Sequence, residues 1–294
     1  MADIFMLQLP ELSDYECSFY DATGNTAPAV PAHTFPVHMH DAYEIYVLAE
    51  GDVSFCAGQQ MFKLHPHDTL VVRPHEIHNC ILEKTGPHRH LCFWYGNRTD
   101  FLLGDLLPSG AAAARIPLDD AAFPRAQEIA KEMTGADRDG NTEDFFCLSV
   151  EFLHILRRAH RADGQSGSGG EELPLPLRAL LSDMHTNYAA IRNLDELAAR
   201  HFISRSTMNR LFRTCLHTTP RQYLEARRLA AARVLLRQGM RVYEVGTQVG
   251  FSDYSNFIRL FRRRFGLTPM QYRHSPPAEL SRSPYADTEE ARDT

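Results

Sequence analysis

The chain has 294 residues, 44% of them hydrophobic and 23% charged, the balance of a soluble globular protein of about two domains. No apolar run approaches the ~18 residues needed to cross a bilayer, and the opening MADIFMLQLPELSDYE lacks both the basic stretch and the long apolar stretch of a signal peptide, so a cytosolic protein with no membrane partner is expected. The net charge of −6 conceals an asymmetry: residues 178–274 hold 17 arginines, no lysine and 6 acidic residues, a net of +11, whereas residues 1–177 carry −14 and residues 275–294 carry −3. Such a distribution is expected when one half of a chain meets a polyanion; a basic surface for an acidic protein partner is the alternative.

Residues 1–117 are rich in Pro, His, Gly and short apolar runs. Strands are expected at 44–50 (EIYVLAE), 53–57, 68–73 and 91–95, separated by Gly, Pro and Asp turns, which points to a sandwich or small barrel. Two helices follow, at 119–134 and 142–160. The second begins with Thr and acidic residues, ends in arginines, and places Leu148, Phe152, Ile155 and Leu156 on one stripe. That stripe either packs on the barrel or forms a homodimer contact. Residues 161–172 (RADGQSGSGGEE) read as a flexible linker, residues 174–273 are helical throughout, and residues 275–294 are expected to be disordered. Cys17, Cys56, Cys80, Cys92, Cys147 and Cys215 contain no C-x-x-C pair and read as reduced thiols without a role in function.

The basic half repeats itself at a shift of 49 residues. Arg210-Leu211-Phe212-Arg213 falls on Arg259-Leu260-Phe261-Arg262, Thr219-Pro220-x-Gln222-Tyr223 on Thr268-Pro269-x-Gln271-Tyr272, and Ser206 on Ser255. Each copy reads as a short helix, a tight turn and a second helix, capped by Ser204 in the first copy and by Ser252 or Asp253 in the second: a helix-turn-helix. Helical spacing turns Met208, Leu211 and Phe212 inward in one second helix, and Phe257, Leu260 and Phe261 in the other. The outward faces then carry Ser206, Thr207, Asn209, Arg210 and Arg213, and Tyr254, Ser255, Asn256, Arg259 and Arg262. Arg, Asn and Ser can hydrogen-bond base edges in the major groove, and Arg pairs bidentately with guanine. A merely solvated arginine face would not be expected twice with matching outward Ser and Arg.

Residues 193–273 resemble the paired helix-turn-helix domain of AraC/XylS-type regulators, most densely from Val249-Gly250-Phe251-Ser252-Asp253-Tyr254-Ser255-Asn256-Phe257 through Phe261, Phe265-Gly266, Thr268-Pro269 and Gln271-Tyr272-Arg273. The resemblance implies seven helices, with two recognition helices entering successive major-groove segments about one helical turn apart. Three residues depart from the family pattern. His217 stands where a helix-ending Gly is usual, so a favourable left-handed cap is expected to be missing there. Gly246 replaces an Ala, which should weaken its helix by roughly 0.5–1 kcal/mol. Ile258 puts an apolar side chain on the flank of the second recognition helix.

In the N-terminal half, His38, His40 and Glu44 are evenly spaced and would share one face of an extended segment. With Gly51, Pro66-His67-Asp68 and His78 they resemble the two cupin motifs, His-x-His-x3-Glu-x6-Gly followed by a turn and a strand bringing a last His. AraC-like regulators carry such a barrel as their sensor. In cupin enzymes the positions matching His38, His40, Glu44 and His78 bind a divalent transition metal; in regulators they are expected instead to serve an effector pocket, with no cofactor.

The expectation is therefore an α+β chain of two domains. Residues 1–118 form a cupin-type effector-sensing β-barrel, 119–161 a helical hairpin that is a candidate dimerisation element, 162–173 a flexible linker, 174–275 a double helix-turn-helix, and 276–294 a disordered tail. The function expected is sequence-specific transcription regulation. The partners are double-stranded DNA, a small-molecule effector (by family resemblance a sugar or derivative), a second copy of the chain, and RNA polymerase. A metal-dependent cupin enzyme fused to a DNA-binding domain is the rival, and it leaves the basic half unexplained.

Overall fold

In the computed structural model, which describes residues 4–8, 16–21, 33–39, 42–96, 99–164 and 169–275, the chain forms two units, one of residues up to Glu172 apart from Pro36–His38, the other from Leu173 on. The first unit is built from antiparallel strands, several of them buried on both faces. Strands β1 (Ile4–Gln8), β2 (Glu16–Asp21), β4 (Ala42–Glu50), β7 (Asp68–Val72), β9 (Arg89–Gly96) and β10 (Ala113–Pro117) form one antiparallel sheet in the order β1-β2-β9-β4-β7-β10. Strands β3 (His33–Thr34), β5 (Val53–Ala57), β6 (Gln60–Leu64), β8 (His78–Leu82) and β11 (Glu171–Glu172) form the other, in the order β11-β6-β5-β8-β3. Successive side chains point to opposite faces of a strand, so β4 sends Glu44, Tyr46 and Leu48 one way and Tyr43, Ile45 and Val47 the other. Both sets are buried.

The first set faces the second sheet: the Tyr46 and Phe55 rings lie 4.7 Å apart. The second set, with Leu91, Phe93 and Tyr95, is covered by helices α2 (Ala122–Arg138) and α3 (Thr142–Asp163), which follow a short helix α1 (Asp100–Leu103). Phe93 stacks on Phe152 at 4.1 Å, and Tyr95 donates its hydroxyl to the Ser149 carbonyl at 3.1 Å. The stripe expected on α3 thus packs on the barrel: Phe152 and Leu156 are fully buried there, and Leu148 and Ile155 are partly so. Each fully buried side chain of this size contributes ~2 kcal/mol. The outward face of the hairpin is polar, with Arg125 bridging Glu128, Glu132 and Glu151.

The expected linker behaves differently along its length. Helix α3 ends at Gly164 in the left-handed conformation, and residues 165–168 lie outside the described residues. Glu171 and Glu172 then pair with Met61 and Gln60 as an edge strand. Glycine makes this approach feasible, because a Cβ on Gly170 would sit 2.7 Å from the Phe62 ring. The expected disordered tail, 276–294, lies outside the described residues.

The second unit has seven helices among the described residues: α4 (Leu175–Asn187), α5 (Leu194–Arg200), α6 (Arg205–Leu216), α7 (Pro220–Arg237), α8 (Val242–Gln248), α9 (Tyr254–Phe265) and α10 (Pro269–His274). The repeated Thr-Pro-x-Gln-Tyr is a local instruction with a tertiary end. In each copy Thr is the N-cap, Pro takes the first helical position where no amide is needed, and Gln closes a capping box. The Tyr packs edge-on against the preceding helix: Tyr223 on Phe212 at 5.7 Å, and Tyr272 on Phe261 at 5.4 Å.

Two of the expected departures resolve structurally. His217 does adopt the left-handed conformation, with φ +49, so the first unit has its cap despite lacking glycine there. The missing-cap expectation is corrected: backbone hydrogen bonding holds a histidine where glycine would be less strained. Gly246 has a packing role that offsets its low helix propensity, since a Cβ there would meet the Phe257 ring at 3.0 Å.

Candidate nucleic-acid interface and sensor site

Helices α6 and α9 are positioned by caps and a buried stripe. Ser204 accepts the Thr207 amide at 3.1 Å, and Asp253, rather than Ser252, accepts the Asn256 amide at 3.1 Å. Met208 and Phe212 are buried in one copy, and Phe257, Leu260 and Phe261 in the other; Leu211 is only half-buried. The opposite faces are the ones expected. Ser206, Arg210 and Arg213 are exposed with Thr207 and Asn209 half-buried beside them, and Tyr254, Ser255, Arg259 and Arg262 are exposed with Asn256 half-buried.

The start of α6 gathers three hydroxyls, with Ser204 Oγ 2.8 Å from Ser206 Oγ and 2.9 Å from Thr207 Oγ1. On α9, Arg259 donates to Asn256 Oδ1 at 2.7 Å, which orients both side chains on the open face. A wide cleft of about 750 Å³ runs along this helix between Tyr254, Ser255, Arg259, Arg262, Arg263 and Thr268, with Ile258 in its wall. Arg263 and Thr268 were not among the expected site residues. The run Arg262-Arg263-Arg264 was the signal available for the first; the second was legible only as a helix cap.

The barrel interior assembles a different chemistry. Register places Glu44 opposite Trp94, and Tyr46 opposite Cys92. Glu44, 1% exposed, accepts from Trp94 Nε1 at 3.1 Å through Oε2, and the same oxygen lies 3.2 Å from His78 Nε2. His78 Nδ1 is 2.8 Å from the Glu76 carbonyl, which can only accept, so Nδ1 carries a hydrogen and Nε2 meets the carboxylate across one shared proton. His38 makes the same kind of bond, Nδ1–H to the Pro36 carbonyl at 2.8 Å, so that in the neutral ring Nε2 carries the lone pair.

His38, Glu44 and His78 are all buried and offer ligand atoms within 4.8 Å of one another. Two imidazoles oriented by backbone carbonyls and one carboxylate are a donor set that suits a divalent transition metal as well as a hydrogen-bonding ligand. His40 lies outside the described residues. Asp68, the turn residue of the second motif, is structural: it accepts the His65 amide at 2.8 Å and pairs with Arg115 at 3.2 Å.

Trp94, Tyr46, His88 and His90 also belong to this interior, and motif spacing did not point to them. Tyr46 Oη lies 2.6 Å from His88 Nε2, and the His90 ring stacks on both Tyr46 (4.8 Å) and His88 (4.6 Å). Burial, with the neighbouring His88 charge, holds His90 well below the ordinary imidazole range, so it is neutral; burial likewise pushes the Cys80 and Cys92 thiols and the Tyr46 hydroxyl up. The period-two pattern His88, His90, Cys92, Trp94 was the available signal.

Comparison with known proteins decides the family. Residues 29–173 match the AraC-like ligand binding domain, and residues 197–275 match a helix-turn-helix domain. The chain belongs to the AraC family of transcription regulators. The HTH-type transcriptional activator RhaS of Escherichia coli O81 (strain ED1a) is 26% identical over 260 residues, covering 84% of this chain and 90% of the relative. Among solved structures, ToxT from Vibrio cholerae O395 is 10% identical with a TM-score of 0.40, covering 92% of this chain and 99% of ToxT. An AraC-type DNA-binding regulator from Chromobacterium violaceum is 30% identical with a TM-score of 0.32, covering 36% of this chain and 93% of its own. The protein is thus a DNA-binding regulator of AraC type with a ligand-binding domain. Among the described residues, no helix is long and apolar enough to cross a membrane.

Proposed function

We propose that this regulator reads duplex DNA through α6 and α9 and couples that reading to a small molecule held inside the barrel. Ser206, Thr207, Asn209, Arg210 and Arg213 serve one stretch of major groove, and Tyr254, Ser255, Asn256, Arg259 and Arg262 the next. The observation that carries the reading is the duplicated geometry: two capped helices with matched buried stripes expose Arg210 and Arg259 at the same place in the repeat. The effector site is the interior around Glu44 and His78, with His38, and the motif spacing assigns His40 to the same role. A carboxylate and imidazoles beside the Trp94 and Tyr46 rings suit a sugar or sugar derivative, whose hydroxyls take the polar groups and whose C–H face takes the aromatic ones. The chain acts as a homodimer and as an activator in contact with RNA polymerase. The exposed side of α3, with Cys147 and Val150, is the candidate dimer face, because its apolar stripe is already used on the barrel. The cytosol is the compartment this role requires.

Arg210→Ala or Arg259→Ala in the full chain should each weaken specific DNA binding by about 1–3 kcal/mol, roughly fivefold to 150-fold, and relax preference at one position of the site. Binding isotherms on a randomised duplex library measure both effects. Unchanged specificity in both variants would remove the assignment, whereas a uniform loss with a salt slope reduced by about one would make the arginines phosphate contacts.

A further inference from the structure

The two helix-turn-helix copies solve the same backbone problem with different residues. After α5 the chain makes a Schellman turn, in which Phe202 N–H donates to the Ala199 carbonyl (3.0 Å) and Ile203 N–H to the Ala198 carbonyl (3.1 Å). After α8, Gly250 N–H donates to Thr247 (3.1 Å) and Phe251 N–H to Gly246 (3.0 Å) in the same pattern. The left-handed residue is Gly250 in the second copy, at φ +93, but Phe202 in the first, at φ +56. A bulky residue there is strained, and such strain concentrates where a side chain is needed for function. Packing does not explain the phenylalanine either, because Phe202 is 97% exposed. It is a large apolar side chain held in water, in a conformation that glycine or asparagine would adopt more easily.

Its place in the chain supplies the reason. Phe202 stands two residues before Ser204, the N-cap of α6, at the end of that helix where the Ser204, Ser206 and Thr207 hydroxyls gather. The N-terminal end of a recognition helix is the end that enters the major groove. The apolar feature of that groove is the thymine 5-methyl group, which phenylalanine recognises by contact. We propose that Phe202 is a DNA-contacting specificity residue that packs on a thymine methyl at the edge of the segment read by α6. This rests on α6 being a reading helix.

The test uses the full chain and a duplex recovered by wild-type protein from a random library, with Phe202→Gly, Phe202→Asn and Arg210→Ala compared side by side. Both Phe202 variants should melt no lower than wild type, because both residues accept the left-handed conformation, and should bind the duplex about tenfold more weakly. Replacing thymines by 2′-deoxyuridine one at a time should weaken wild type at one position and leave Phe202→Gly unaffected there. If Arg210→Ala weakens binding while both Phe202 variants bind within twofold of wild type, the contact is refuted and α6 remains a reader. Binding unmoved by Arg210→Ala removes α6 as the reader and this contact with it. A lowered melting temperature in both Phe202 variants, or an equal loss on uridine in wild type and Phe202→Gly, also overturns it.

Discussion

Gly250→Ala is expected to destabilise the helical unit by about 3 kcal/mol, the sum of two costs of comparable size. The first is conformational: φ +93 is a region that residues with a Cβ rarely adopt. The second is steric. A Cβ would lie 2.6 Å from the Ala189 carbonyl oxygen and 2.9 Å from its Cα, and backbone cannot rotate away as a side-chain tip could. The turn that aims α9 would have to open, so DNA affinity should fall together with the melting transition. Thermal melts of the full chain would decide it, and a change below ~0.5 kcal/mol would mean that Ala189 and the turn yield more easily than this packing implies.

The second large effect is expected in the barrel. Glu44→Ala removes an oxygen that meets Trp94 Nε1 and His78 Nε2 in a buried setting, leaving two polar hydrogen-bonding groups facing a cavity. Deleting one partner of such a buried network costs about 3 kcal/mol, whereas Glu44→Gln keeps a carbonyl oxygen for the indole and should cost ~1 kcal/mol. Under the effector reading, the Gln variant should remain folded and still lose its ligand response in a reporter assay, because the amide cannot share the His78 proton as a carboxylate does. A Gln variant with full response would move sensing away from this cluster. An Ala variant as stable as wild type would show that water takes over both bonds.

What was legible in the sequence follows from how local each instruction is. The 49-residue repeat could be read because Thr219-Pro220-x-Gln222 and Thr268-Pro269-x-Gln271 encode cap, first turn and capping box within four residues, and because Met208, Phe212, Phe257 and Phe261 mark the buried faces at helical spacing. Strands β4, β5, β7 and β9 were visible between Gly, Pro and Asp turns. Strand β8 was legible only through the motif that ends in His78, because HNCIL itself does not alternate, and β10 begins in an alanine run that favours helix.

In the barrel, Glu44 and His78 emerged from motif spacing, but Trp94, Tyr46, His88 and His90 did not. Their meeting depends on the β4–β9 register, a pairing of residues up to about 50 positions apart, which periodicity along one strand does not contain. The left-handed His217 and the docked Glu171-Glu172 were missed for a related reason. Backbone hydrogen bonds, from His217 to the Phe212 carbonyl of its own helix and between the glutamates and β6, overrode the residues' own preferences.

Selection of random duplexes by the full-length chain, followed by sequencing, tests the central claim most directly. Two recognition helices on one domain predict an enriched site of two short blocks whose centres lie about 10 base pairs apart, so that both face the same side of the helix. A pool that stays flat after repeated rounds, or that yields one block with nothing a helical turn away, contradicts the account.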